Sequence, residues 1–361
     1  MSRLQVKLFP SDNTGCGHYR TREPARAVNA SSADVDALVV FEEENREHQL
    51  DILLAGHLGS DLRVVRVEDP GCDVVVLQRP MYHILVETIP FLKEHGVAVV
   101  IEMDDNFHRI HPKNPAHMLT RADVNPATNI LWLEKALGLA DLIVVSTPAL
   151  AKFYGSHGPT RVVRNYVPES TVRESAPVRE DVVLGWTGHT ATHPGDLETI
   201  GSAVADVMSS APETRFCAVG DRLTLDILGV SSERSTVDHR RIPIEEFHTA
   251  IDPISVGIVP LAGTPFNECK SYIKGLEYAS RGVPFVASPT AEYEYLAKFG
   301  AGDLARTERK WVTTLARLAI DDDYRSERSE AALMAAKQLT IEEHVDEWIG
   351  AWADAVSMRR R

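Results

Sequence analysis

The sequence is poor in cysteine, in long apolar runs and in positive charge. Four cysteines (Cys16, Cys72, Cys217, Cys269) are scattered through 361 residues with no CxxC spacing. That argues against a disulfide framework and suits free thiols in a reducing compartment. No apolar run approaches the ~18 residues that span a bilayer. Met1 leads almost directly into the strand-like LQVKLF with no signal-peptide pattern, so a cytoplasmic protein is expected. The formal net charge of -14 opposes a large phosphate-backbone footprint, which needs a basic stripe. The terminal Arg359–Arg361 run is expected to be a solvated tail. What is present is ordinary for a globular α/β chain: 44% hydrophobic and 25% charged residues, with length enough for two domains.

Short apolar runs alternate with amphipathic stretches through the first half. Leu4–Phe9, Ala37–Phe41, Val64–Arg66, Asp73–Gln78, Ala98–Glu102 and Asp141–Ser146 are predicted strands. Thr21–Ala30, Glu47–Leu58, Tyr82–Glu94 and Asn129–Leu139 are predicted helices. Such alternation implies a parallel sheet with helices on both faces. Residues 166–181 are polar and proline-bearing and form the expected linker. The pattern restarts over 182–340, with strands at Val182–Trp186, Arg215–Val219 and Ile254–Pro260. A final helix, Ile341–Val356, carries Trp348 and Trp352. The expected organisation is residues 1–165, a linker, residues 182–340, and residues 341–361 returning to the first domain. The tryptophans, with Trp186, suit packing better than sugar platforms.

The densest stretch is PFNECKSYIKGLEYASRGVPFVAS, Pro265–Ser288. It follows the apolar VGIVPL and is predicted as loop, helix (Lys270–Arg281), a stop at Gly282 and a buried strand. A helix starting beyond the carboxyl end of a parallel strand faces the crevice where α/β proteins bind ligands. Its free N–H groups and dipole favour phosphate. Lys270 and Ser271 are expected in its first turn. Glu277 is two turns on along the same face. A cation and hydroxyl beside a carboxylate suit a diphosphate and its ribose. The alternative is an ordinary exposed helix start.

Two further segments carry candidate chemistry. Gly15 and Gly17, with His18, Tyr19 and Arg20, follow the first strand; a GxG alone is weak, and a plain strand-to-helix turn is the competing reading. The preferred reading is a mobile loop closing over ligands, with Arg20 near phosphate and His18 near an acceptor. Glu102, Asp104 and Asp105 end the apolar AVVIEMDD, where a carboxylate could orient or deprotonate an acceptor hydroxyl or simply cap the next helix. His108, His111 and His117 follow. Metal ligation is conceivable there, but helix-face histidines are usually satisfied locally, and no metal is expected.

Two tandem doubly wound domains bearing these motifs resemble the GT-B glycosyltransferases, most closely retaining enzymes of the family-four type. GWTGHTATHPGDL (Gly185–Leu197) and DNTGCGHYR (Asp12–Arg20) add to the likeness, and GCGHYR, EMDDNF and KSYIKGLEY resemble a bacterial and phage subgroup. The resemblance implies a GT-B architecture with two Rossmann-like domains facing a central cleft. It implies sugar transfer from a nucleotide-diphosphate sugar to an acceptor hydroxyl, with retention and without cofactor or metal. Donor-binding residues would be Gly15, Gly17, Arg20, Gly188, His189, Arg222, Asn267, Glu268, Lys270, Ser271 and Glu277. Acceptor-binding residues would be His18, Tyr19, Asp104 and His108. Asp104, Asp105, His18 and Lys270 would be catalytic. The family pattern has two glutamates eight positions apart; here the pair is Cys269 and Glu277. Either adjacent Glu268 substitutes or backbone amides and Lys270 take over. The acceptor is left open among protein, glycan and small molecule, with DNA disfavoured by the charge. Rival readings are a phage-type DNA-base glycosyltransferase, a nucleotide-sugar epimerase and a non-catalytic nucleotide-sugar-binding protein.

Overall fold

The computed structural model describes residues 3–40, 49–56, 61–179 and 181–360. Two units emerge, Met1–Asn165 with Ile341–Arg361, and Tyr166–Thr340.

In the first unit the strands are β1 (Leu4–Phe9), β2 (Val35–Val39), β3 (Ile52–Ala55), β4 (Arg63–Val67), β5 (Val74–Gln78), β6 (Ala98–Met103), β7 (Leu142–Val145) and β8 (Thr160–Val162). The main sheet runs β2-β1-β5-β6-β7-β8 and is parallel throughout. Its central strands, VVVLQ and AVVIEM, are buried at every position, as expected for strands covered on both faces. The order reverses at β1, which has β2 on one side and β5 on the other. Ligands bind beyond the carboxyl ends of the strands at such a switch.

Two expectations for this unit fail. The predicted helix Glu47–Leu58 contains β3 instead, with Ile52 opposite Val67 and Leu54 opposite Val64 in an antiparallel hairpin with β4. Its residues 47, 48, 57 and 58, like Phe41 of the predicted second strand, lie outside the described residues. The short apolar run ILLA carries no period of its own, so strand pairing decides its conformation. Val64–Arg66 is a strand, but in this hairpin and not in the parallel sheet.

The helix Val345–Arg359 follows the second unit in sequence yet packs on β6, β7 and the helix Glu23–Ser31 of the first. Trp348, Ala351, Trp352 and Ala355 form its buried face. Arg161 Nη1 reaches Asp354 at 2.6 Å, and Arg359 donates to the Lys93 carbonyl.

The second unit contains β9 (Val183–Gly188), β10 (Arg215–Gly220), β11 (Ser235–Asp238), β12 (Val256–Val259), β13 (Phe285–Ala287) and β14 (Asp303–Leu304). Its parallel order, β11-β10-β9-β12-β13-β14, is that of dinucleotide-binding sheets, with the switch at β9. Trp186, Phe216 and Trp311 anchor its core. Residues 166–179 and 181 group with this unit. Arg173 pairs with Asp252 at 2.9 Å, and Arg179 donates to the Asp252 carbonyl at 2.6 Å.

The key helix is shorter than predicted. Asn267–Cys269 form one 3-10 turn, Lys270 is extended (φ -67°, ψ 141°), and the α-helix is Ile273–Ser280. Gly282, at φ 63°, follows its end in the left-handed conformation that glycine adopts freely. Lys270 and Ser271 therefore precede the helix; its first turn carries Lys274 instead.

Candidate functional site

At the switch of the second unit, two glycines let β9 and β10 end side by side. Gly188 (φ 141°) pairs with Gly220 (φ 149°). A Cβ on Gly220 would sit 1.8 Å from the Gly188 oxygen, so no other residue fits there without backbone movement. The chain beyond β9 then turns through His193 to Asp196. His193 Nδ1 lies 2.9 Å from Asp196 Oδ2. Asp196, almost fully buried, accepts at Oδ1 from the Ala262 amide (2.8 Å) and from Asn267 Nδ2 (2.6 Å). One carboxylate thus ties the loop after β9 to the loop after β12. An anionic Asp196 fixes the His193 proton on Nδ1 and leaves Nε2 as an acceptor, 3.4 Å from Lys274 Nζ. Lys274 also lies over the Trp186 ring, 5.1 Å from its centre.

Burial and the close approach of two lysines set the electrostatics of this cluster. Burial and then Lys274 pull the His193 pKa well below the usual imidazole range. Burial and then Lys270 pull Lys274 down to about 8. For Asp196, burial acts upward but is outweighed by hydrogen bonds from His193 and Ala262, so it is held low. Lys270, whose ammonium lies 4.7 Å from the centre of the Phe266 ring, acts on His193, Asp196 and Lys274; Glu277 acts on Lys274. The expected residues Gly188, Asn267, Lys270 and Glu277 therefore gather around His193, Asp196 and Lys274.

Other expected donor residues do not gather there. Glu268 is exposed, because its 3-10 turn directs Asn267 and Cys269 inward. The buried Cys269 thiol occupies the position eight before Glu277, and the buried carboxylate of the cluster comes from Asp196. Arg222 is exposed at the start of the helix Leu223–Leu228. Its neighbour Asp221 makes the contact, accepting from the Thr190 amide at 2.6 Å. His189 is mostly exposed, 3.7 Å from Asp221. Ser271 Oγ accepts from the Ile273 amide at 3.4 Å.

The first unit gathers a second polar cluster at its own switch, around a residue that carries no sequence signal. Arg79 follows β5 and is, among the described residues, the non-glycine with positive φ (46°). That strain is characteristic of functional sites. Arg79 reaches back to Ser11 and Asp12 after β1 and lies 3.6 Å from Asp104 after β6. Its guanidinium stands over the Phe107 ring at 5.3 Å. Asp104 is buried, and its Oδ1 has no hydrogen-bond partner among the described residues. For Asp12, burial acts upward but Arg79 and hydrogen bonds from Thr14 and Gly17 outweigh it. Asp105 holds Tyr154 OH at its backbone oxygen, 3.2 Å away.

The Gly15–Arg20 segment is not a loop. Asp12 Oδ1 accepts from the Thr14 and Gly17 amides at 2.9 and 3.2 Å, and helical turns Gly15–Gly17 and His18–Arg22 run into Glu23–Ser31. Gly15 and Gly17 build that helical start. His18, Tyr19 and Arg20 are buried within it. His18 lies 3.7 Å from Glu23 and edge-on to Tyr19. Arg20 is spent internally: it donates to Glu102 (2.9 Å), to the carbonyls of Val163 (2.7 Å) and Arg164 (3.0 Å), and to Asn165 Oδ1 (2.9 Å). It cannot also meet a phosphate. His108 bonds Glu134 at 3.1 Å and packs on Phe153 and Tyr154, so its ring is occupied locally. Among the described residues no cluster of three or more His, Cys, Asp or Glu could hold a metal, and no helix is long and apolar enough to cross a membrane.

No protein-family model matches the chain, and no curated protein matches it in sequence. Solved structures do match in shape. Sucrose-phosphate synthase from Thermosynechococcus elongatus superposes with a TM-score of 0.62 over 96% of this chain and 98% of its own, at 13% identity. Anabaena HepE, solved with UDP and glucose, gives 0.59 over 96% and 100%, at 13% identity. A putative UDP-N-acetylglucosamine 2-epimerase from Listeria monocytogenes gives 0.52 over 94% and 95%, at 11% identity. At these identities the likeness concerns architecture, and what it establishes, together with the two parallel sheets and their switch points, is that this chain has the GT-B fold.

Proposed function

We propose that the chain is a glycosyltransferase that moves a sugar from a nucleotide-diphosphate sugar to an acceptor hydroxyl. The observation that carries this is the cluster at the β9 switch. Burial, with Lys274 and Lys270 beside it, keeps His193 neutral, and burial with Lys270 brings Lys274 to about 8. A diphosphate placed there relieves both lysines, and the first turn of Ile273–Ser280 adds its N–H groups. Glu277 takes the ribose hydroxyls, and Asn267 lies toward the transferred sugar. The lysines stabilise the leaving diphosphate as charge develops on it. In this reading no metal or further cofactor is required, and transfer proceeds with retention, as in the enzymes the sequence resembles. The acceptor binds the first unit, where Asp104 Oδ1, buried beside Arg79 and without a hydrogen-bond partner among the described residues, accepts from its hydroxyl.

The experiment is a thermal-shift screen of nucleoside diphosphates, beginning with UDP because HepE was solved with it. A ligand that binds the native state at 100 times its Kd adds about 2.7 kcal/mol of stability. UDP or one close relative raises Tm in the wild type and not in Glu277→Ala. Asp104→Asn keeps that shift and loses transfer. No shift with any nucleoside diphosphate at millimolar concentration refutes the donor site. Inversion of a ring carbon of the donor sugar without an acceptor would make the protein an epimerase.

A further inference from the structure

The second unit has a cavity of about 610 Å3 at the opposite ends of the same strands from the His193–Lys274 cluster. Val183, Arg215 and Ser235, which line it, are the first residues of β9, β10 and β11. The diphosphate cluster lies at the carboxyl ends. Six residues of β9 separate the two, roughly 17 Å at the rise of a strand.

Three guanidinium groups line this cavity: Arg179, Arg215 and Arg234. Of the two carboxylates that line it among the described residues, Asp252 is already committed. Arg281 Nε and Nη2 lie 2.9 and 3.0 Å from its oxygens, and Arg173 lies at 2.9 Å. Asp181 is the other. Two of the cavity arginines, Arg179 and Arg234, donate to backbone carbonyls. Arg179 Nη1 donates to the carbonyls of Asp252 and Ile254, and Arg234 Nη1 to those of Met208 (2.7 Å) and Pro212 (2.9 Å). Arg179 Nε and Nη2 are buried with no hydrogen-bond partner among the described residues. Burial and then Arg173 draw its pKa down to about 10, as expected for a cation short of counter-charge. Among the described residues, three guanidinium groups and two carboxylates line the cavity, and one of those carboxylates is held by Arg173 and Arg281. Ser235 and Thr236 add hydroxyls to the wall, and Phe216 an apolar surface.

We propose that this cavity binds a phosphate-bearing small molecule. Guanidinium forks match phosphate oxygens in geometry, and the volume lies in the range of small-molecule sites. The site lies wholly within the second unit and does not depend on the donor reading.

The test uses the full chain with inorganic phosphate and with glycerol 3-phosphate, each against chloride at equal ionic strength. Thermal shift and calorimetry read the binding. A saturable rise in Tm is expected in the wild type and in Lys274→Met, which disables the other site. Arg215→Gln, a surface change that spares the fold, weakens Kd about tenfold, the loss of one charge-assisted hydrogen bond. Arg179→Met removes binding; should it not fold, Arg215→Gln decides alone. Equal affinity for both probes identifies phosphate itself as the ligand, and preference for the ester identifies an organic phosphate. No saturable binding of either probe overturns the assignment. So does a wild-type Kd in Arg215→Gln, or binding lost in Lys274→Met.

Discussion

Replacing Lys274 by methionine should make the ligand-free protein more stable while removing its grip on a nucleoside diphosphate. The reasoning starts from the depression of the Lys274 pKa from 10.5 to about 8, caused first by burial and then by Lys270. Each unit corresponds to about 1.4 kcal/mol, so holding the ammonium charged at neutral pH costs about 3 kcal/mol. Methionine keeps much of the length, loses the charge and still packs on Trp186. It forfeits the cation–π contact at 5.1 Å, worth about 1 kcal/mol. The net gain is about 2 kcal/mol, or ~4–8 °C in Tm for a unit of this size. The pH dependence has a definite sign. Between pH 8 and 10.5 the unfolded chain holds this proton and the native chain does not, so wild-type stability rises across that window. The methionine variant lacks the rise. Diphosphate affinity behaves oppositely, falling as pH climbs through about 8 because binding then requires proton uptake. Denaturant unfolding at pH 7 and pH 10, with calorimetry against UDP, measures all three quantities. A less stable variant, or one that binds UDP with wild-type affinity, refutes the account of Lys274 as a buried cation whose charge is costly in the ligand-free protein.

Two other outcomes follow from the geometry. Arg20→Met should destabilise the first unit by about 3–5 kcal/mol, because it strands the buried Glu102 carboxylate; urea unfolding checks this, and a folded, stable variant defective only in nucleotide binding would restore Arg20 to the donor site. Gly220→Ala should cost several kcal/mol or prevent folding, since its Cβ would meet the Gly188 oxygen at 1.8 Å at φ 149°; a wild-type Tm would show that the strand ends relax freely.

Much of the architecture was legible in the chain itself. Fully buried parallel strands must be apolar along their whole length, so VVVLQ, AVVIEM and VGIV stood out, and the helices between them carried their own periodicity. Short edge strands did not stand out. Thr160–Val162, Ser235–Asp238 and Asp303–Leu304 are held by one neighbour and carry polar residues. The hairpin strand Ile52–Ala55 was lost for a related reason, since four apolar residues fit helix and strand equally.

The site divides in the same way. Lys270, Asn267 and Glu277 were readable because they share one short segment whose place after a strand fixes its surroundings. His193 and Asp196 come from one segment and Lys274 from another; HPGD and the lysine three before Glu277 gave spacing but no pairing. Arg79 gave nothing: no residue type announces a positive φ, and its partners Asp12 and Asp104 lie 67 and 25 positions away in sequence. Arg20 shows the converse. In sequence it is a cation beside a glycine turn, free for phosphate. Only the tertiary structure shows it buried on Glu102 and the carbonyls leading out of β8, because burial and hydrogen-bond satisfaction belong to the packed chain. Sequence alone determined the α/β alternation, the two tandem units and the one segment that carries Asn267, Lys270 and Glu277 after a strand. Folding decided which charges are neutralised internally and which remain to meet a ligand.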